Sequence, residues 1–149
     1  MRTDVRLEGW RIAATGAAEE RFHESVFFTG NGRMGARGYV ALRPEPRPLD
    51  AGLFMAGMFD RITESSPLTD FVNLPTPIYL GLEAGGAPLG PAAEVERELD
   101  LSSGLLSLRY AAQGPGGSTE VYERRFFSMA RPGWLLQRVE LTEGAGLCL

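Results

Sequence analysis

Leu105-Leu106-Ser107-Leu108-Arg109-Tyr110-Ala111, then Gly114-Pro115-Gly116-Gly117, then Thr119-Glu120-Val121-Tyr122-Glu123-Arg124-Arg125-Phe126-Phe127: these three stretches decide the fold. In the first, Leu106, Leu108 and Tyr110 fall on one side of an extended chain. Ser107 and Arg109 fall on the other with Leu105, the period of two that a half-buried strand requires. The glycine-rich linker supplies positive φ beside a proline-fixed φ, so the flanking strands are expected to form a hairpin. Residues 134–141 continue the pattern, with Leu135, Val139 and Leu141 set against Arg138 and Glu140. Successive hairpins buried on one face imply an antiparallel sheet.

Working outward, further strands are expected at 7–13, 25–29, 38–42, 53–59, 78–83 and 95–101, separated by breakers. Gly85-Gly86-Ala87-Pro88 is tight-turn chemistry, and Arg43-Pro44-Glu45-Pro46-Arg47-Pro48 cannot donate most ladder hydrogen bonds, so it reads as a surface connection. The best helical candidate, 13–22, is interrupted at Thr15-Gly16, and Ala17-Ala18-Glu19-Glu20 leaves about one turn. The expected class is therefore all-β: an antiparallel β-sandwich with little helix, a single partial domain over residues 1–149. After Thr142-Glu143-Gly144 the chain turns apolar at Ala145-Gly146-Leu147-Cys148-Leu149, as though another strand were starting. Domains usually end on solvent-compatible residues, so this reads as the N-terminal part of a larger sandwich, a truncated chain or gene fragment.

Composition excludes several classes of function. With 44% apolar and 23% charged residues among 149, the chain is ordinary globular material, and its 19 glycines and 10 prolines point to many turns. The net charge is -4 and the longest basic cluster is Arg124-Arg125, so there is no footprint for nucleic acid. No window approaches the length of a membrane span. The single cysteine, Cys148, rules out an internal disulfide and suggests a reducing, cytoplasmic setting.

Chemistry-bearing motifs are few. Gly30-Asn31-Gly32-Arg33-Met34-Gly35 matches the letters of a dinucleotide-binding loop, and Asp50 stands where a ribose-binding acid would be sought. Such a loop must open a helix whose N-terminus meets the pyrophosphate. Here it leads into Ala36-Arg37-Gly38-Tyr39-Val40-Ala41-Leu42 and then the prolines, so structural glycines at a tight β-turn are the better reading. His23 and Cys148 cannot furnish a zinc site. His23-Glu24-Ser25 holds the residue types of a catalytic triad, but neighbours on a strand point to opposite faces, and His23 reads as an ordinary partly buried or surface histidine. Asp60, Glu64 and Asp70 fall in a polar loop, where glycoside-cleaving chemistry would need a pair of carboxylates at a set separation. Solvated acids at turns are the favoured reading, and Asp60-Arg61 reads equally as a local ion pair. No catalytic residue, metal or cofactor is expected from this chain.

Five ordered segments resemble the N-terminal region of glycoside hydrolase family 65, the family of maltose, trehalose and kojibiose phosphorylases and related hydrolases. The first is residues 24–38, which match E-S-x-F-x-x-G-N-G-x-x-G-x-R-G and include Gly30, Asn31, Gly32, Gly35, Arg37 and Gly38. Next come 54–61, similar to aromatic-x-A-G-x-aromatic-D, and Phe71-Val72-Asn73-Leu74-Pro75, similar to V-N-L-P. The run from Arg97 to Leu106 resembles R-x-L-D-L/M-x-x-G-x-L, and Arg125-Phe126-Phe127-Ser128-Met129 resembles R-F-x-S-M. Thr76-Pro77 and Arg33-Met34 depart from common family residues and leave the enzyme within the family open. The resemblance implies an accessory β-sandwich that packs on a catalytic (α/α)6 barrel, absent from this chain, and that supports a homodimer and the active-site mouth. The stretch from Asp60 through Arg61, Glu64 and Asp70 to Asn73 is the candidate for a loop at that mouth.

Physical roles can be assigned to the same motifs. Arg37 is expected to pair with a buried acid such as Asp60, and Asn73 to cap a turn before Pro75. A second reading is a stand-alone carbohydrate-binding module with a sugar ligand, drawing on Trp10, Tyr39, Tyr79, Tyr110, Tyr122 and Trp134; it requires an exposed row of these rings on one sheet face. A third is a fragment without independent function that associates through open strand edges.

Overall fold

A computed structural model describes residues 5–17, 21–42, 52–61, 63–64, 67–115 and 117–142. The expectations for residues 18–20, the proline-rich 43–48 connection, Gly116 and the 145–149 tail lie outside those residues. The fold is all-β and antiparallel. Its largest layer is a six-stranded sheet assembled from β1 (Arg6–Glu8), β2 (Arg11–Ala17), β10 (Gly90–Asp100), β11 (Leu105–Gly114), β12 (Gly117–Phe127) and β13 (Leu135–Leu141), in the order β1-β2-β10-β11-β12-β13. The hairpin expected across the glycine-rich 114–117 turn is present, with Leu106 opposite Arg125 and Gly114 opposite Gly117.

The second layer is built from short pieces. Helix α1 (Arg21–Val26) precedes a three-stranded sheet of β3 (Thr29–Gly30), β4 (Met34–Ala36) and β5 (Leu53–Met55). Two small hairpins follow: β6 (Phe59–Arg61) with β7 (Thr69–Phe71), and β8 (Glu83–Ala84) with β9 (Ala87–Pro88). Between the layers, Leu106, Leu108, Tyr110, Val95, Leu99 and Val121 of the large sheet meet Phe27, Val40 and Leu42. Phe127 meets Ala36, Tyr39, Ala41 and Ile78 in a second cluster.

Several expected strands are different objects. Residues 25–29 begin inside α1, where Ser25 Oγ donates to Arg21 O at 2.9 Å, and reach a strand only at Thr29. His23 and Glu24 are therefore helical and buried, which corrects both the exposure expected of His23 and the strand geometry used for the triplet. Expected strand 7–13 is folded back at Gly9-Trp10 into β1 and β2, and β2 runs through Thr15-Gly16 without interruption. Expected strand 53–59 breaks at Gly57, which takes a φ of 83°. Of 78–83, only Glu83 enters a strand.

The most consequential difference lies at 37–42. Its residues from Gly38 to Leu42 are buried, yet beyond one bridge between Leu42 and Leu80 the segment joins no sheet. Main chain satisfies part of its backbone, with Gly38 N donating to Glu24 O at 2.7 Å and Ala41 O accepting from Leu80 N at 2.9 Å, and side chains of the large sheet satisfy other groups. Glu123 Oε1 accepts from Ala41 N at 2.8 Å and from the Tyr110 hydroxyl, which itself accepts from Leu42 N at 3.3 Å. Arg125 Nη2 donates to the carbonyls of Tyr39 and, at 3.4 Å, Arg37. Arg125 Nη1 stands 3.9 Å from Glu123 Oε2, and its guanidinium lies 5.2 Å from the Tyr39 ring centroid. Glu123 is 0% and Arg125 1% exposed. At Gly38 the strap passes so close to α1's exit that an added Cβ would stand 2.5 Å from Phe27 Cβ, so only glycine fits.

Removing one member of a buried ion pair leaves the other charge uncompensated, which costs about 3–5 kcal/mol. Arg125→Met should lower the unfolding free energy by that order in urea titration, while exposed Arg138→Met should change it by less than about 0.5 kcal/mol. A pH effect follows from the tyrosines. Burial pushes the Tyr39 phenol from 10.0 up to about 12, and burial together with the Glu123 carboxylate also raises Tyr110. The folded state then holds protons that the unfolded chain releases near pH 10. Stability from this source should be intact below pH 10 and decline as the pH rises through about 12. Absorbance titration of tyrosinate should show it, and the Tyr39→Phe variant should lose its share.

Candidate functional site

The glycine motif forms the turn between β3 and β4, with Gly30 paired to Gly35 and no helix after it. Asn31 Oδ1 accepts from Arg33 N at 3.1 Å and Met34 N at 3.0 Å, shaping the turn from within, and Gly32 takes the positive φ of 79° that it needs. The same side chain also ties two layers together. Asn31 Nδ2 donates to Ser128 O at 2.8 Å and Pro132 O at 3.0 Å, on the connection from β12 to β13. The turn's glycine face is covered by the Phe28 ring, which an added Cβ at Gly35 would meet at 2.6 Å.

The expected pair of Arg37 with a buried Asp60 is not formed. Arg37 Nη2 donates to Ser25 Oγ at 2.8 Å, and Asp60 is exposed on β6, accepting from the Arg61 backbone N–H at 2.7 Å. The reason is topological: Arg37 follows β4 toward α1, whereas β6 has already turned away beyond Gly57.

The stretch 60–73, expected as a polar loop, contains the β6–β7 hairpin. Asp60 lies directly opposite Asp70, Arg61 opposite Thr69, and Phe59 opposite Phe71. Asp70 accepts from Phe71 N at 2.7 Å. Glu64 stands exposed in the connecting turn, and Asn73 is exposed after β7. Opposed carboxylates cost stability in a two-stranded ribbon, yet both lie open to water rather than in an enclosed cleft, so the pair lacks the setting of a glycoside-cleaving site. Among the described residues, no group of three or more His, Cys, Asp or Glu side chains could hold a metal ion.

What the hairpin does carry is aromatic surface. Ring centroids are 6.3 Å apart for Phe28 and Phe54, 6.1 Å for Phe54 and Phe71, and 4.8 Å for Phe59 and Phe71. Phe59 and Phe71 remain 54% and 53% exposed, and Leu68 beside them is also exposed. The row is continuous with the glycine turn, because β5 pairs Phe54 with Gly35, Ala56 N donates to Arg33 O, and Val72 N donates to Met58 O. A contiguous apolar stripe rimmed by Asp60, Arg61 and Asp70 has the makeup of an interaction surface. By contrast, the six rings considered for a sugar-binding row are scattered: Tyr39 and Tyr110 are buried and Tyr79 half-buried, while Trp10, Tyr122 and Trp134 are exposed at the β1–β2 turn, on β12 and before β13.

The Phe28-Phe54-Phe71-Phe59 row is not legible in the sequence, because it is assembled from α1's exit and three strands. For the buried Glu123 and Arg125 the sequence does carry a signal. Val121, Glu123, Arg125 and Phe127 share one face at a spacing of two, so the alternation that buries the flanking residues buries the charges as well.

Asn31→Asp tests the cross-layer tie. It keeps the acceptor for Arg33 and Met34 but sets a carboxylate against two carbonyl oxygens, and should cost about 1–3 kcal/mol in chemical denaturation.

Comparison with known proteins fits this geometry. The model of the glycosyl hydrolase family 65 N-terminal domain matches residues 14–146. A solved structure, "Putative kojibiose phosphorylase from human microbiome", superposes with a TM-score of 0.76 at 15% identity, over 93% of this chain and 20% of that one. The chain thus spans about a fifth of the length of that protein. No curated protein matches the sequence. With a family model covering most of its residues, this chain belongs to the N-terminal domain family of glycosyl hydrolase family 65.

Proposed function

We propose that the chain serves as the accessory N-terminal β-sandwich domain of a cytoplasmic enzyme that cleaves α-glucosidic disaccharides by phosphorolysis or hydrolysis. Its partner is the enzyme's catalytic (α/α)6 barrel, and the Phe28-Phe54-Phe71-Phe59 row is the surface that packs there. The β6–β7 hairpin, with Asp60, Arg61, Glu64 and Asp70 around its phenylalanines and Asn73 just beyond it, then sits at the rim of the active-site mouth and contributes to a homodimer of the whole enzyme. The observation that carries this reading is the exposed aromatic row joined by backbone hydrogen bonds to the glycine turn. Exposed rings on a rigid frame favour a partner surface, since water is a poor neighbour for them.

The kojibiose phosphorylase likeness supports an α-glucosidic substrate for the whole enzyme, while the residues for the chemistry would come from the barrel. The test is release of glucose or glucose 1-phosphate from maltose, trehalose and kojibiose, with and without phosphate. The chain alone, shown folded by circular dichroism, should give no turnover in any mixture. Turnover proportional to protein concentration would overturn the accessory role and return attention to Asp60 and Asp70.

A further inference from the structure

The large sheet has a second face, turned away from the layer that carries the phenylalanine row. Register fixes which residues share it. One cross-strand row is Thr15, Glu96, Arg109, Tyr122 and Glu140; the next is Arg6, Ala13, Glu98, Ser107, Arg124 and Arg138. Small side chains at Ala13, Thr15 and Ser107 leave a floor between longer ones, opening a groove of about 440 Å³ walled by Arg6, Glu96, Glu98, Arg109 and Tyr122. It crosses five strands, from Arg6 on β1 to Tyr122 on β12, a run of about 19 Å at the usual strand spacing.

We propose that this groove is a binding site for a neutral oligosaccharide. Tyr122, 38% exposed and backed by the Arg124 guanidinium 4.9 Å from its centroid, offers a ring face for the C–H side of a sugar. Around it stand acceptors (Glu96, Glu98), donors (Arg6, Arg109) and the hydroxyls of Thr15 and Ser107, the mixture that paired sugar hydroxyls require. Two acids are balanced by two arginines across the groove, which selects against anions and cations and favours an uncharged, hydroxyl-rich ligand. The existing ion pairs are exposed, with Arg109 Nε to Glu120 at 3.3 Å, Arg109 Nη1 to Glu96 at 3.9 Å and Arg11 Nε to Glu98 at 3.8 Å. Such pairs contribute about 0–1 kcal/mol and can be exchanged for sugar hydroxyls at little cost. The site stands or falls apart from the docking role of the phenylalanine row, because it occupies the other face of the sheet.

The test is amide chemical-shift mapping on the intact chain, titrated separately with maltose, kojibiose, maltotetraose and sodium sulfate. The sugars should shift Thr15, Glu98, Ser107, Arg109 and Tyr122 at millimolar concentration, with maltotetraose bound tightest. Tyr122→Ala should weaken binding by about tenfold through the lost ring contact. Ser107→Trp, which fills the floor and removes no groove charge, should abolish it. Sugar shifts confined to the β6–β7 hairpin, sulfate shifts without sugar shifts, or no shifts at all would overturn the proposal.

Discussion

Everything in the second layer depends on how one strap of backbone is held without a sheet. Residues 38–42 lie buried between layers, where unpaired N–H and C=O groups cost free energy comparable to a lost hydrogen bond each. Glu123, Arg125 and Tyr110 supply the missing partners from β11 and β12, two of them as charges that pair with each other. A buried ion pair gives little net stability, because desolvating it costs about as much as the attraction returns. Its value here is positional: only a strap in this register offers Ala41 N to the carboxylate and Tyr39 O to the guanidinium. The strap in turn leads back to β4, and so to the turn that presents Asn31 to the far end of β12.

Much of this architecture is legible in the residues. The strong period-two runs at 95–101, 105–111, 119–127 and 134–141 all became strands of the large sheet, because each packs one face on a common core and the other on water. The N-terminal half is harder to read, and the reason is physical. Apart from β2, its strands have two or three residues, too short for a period to emerge, and its buried run at 38–42 is a strap with partners more than eighty residues away in sequence at Glu123 and Arg125. Helix α1 escaped for a related reason. At six residues it has no room for an amphipathic repeat, and packing of Phe27 and His23 decides its conformation more than propensity does.

For the candidate site, legibility was partial in an instructive way. The glycine motif announced a tight turn, and the turn is there; that Asn31 also reaches Ser128 O and Pro132 O could not be inferred from local spacing. The acids at 60–70 drew attention as chemistry, while the surface that matters beside them is phenylalanine. Charged residues are conspicuous in a sequence, whereas four aromatics from separate elements become one feature only when β5 and the hairpin set them side by side.

The strand order of the large sheet also dictates how the molecule must assemble. β10 to β13 are consecutive antiparallel neighbours, while β2 joins β10 across the intervening second layer, with Glu94 opposite Ala17. Pairing of distant segments pays its loop-closure entropy before contacts repay it, so the four-stranded meander is the natural nucleus and the docking of β2 comes late. On a ribosome the chain therefore emerges in the unfavourable order. The phenylalanine-bearing segments appear first and wait for Glu123 and Arg125 before their strap can be fastened, an interval in which exposed aromatic surface is open to chaperones or to self-association.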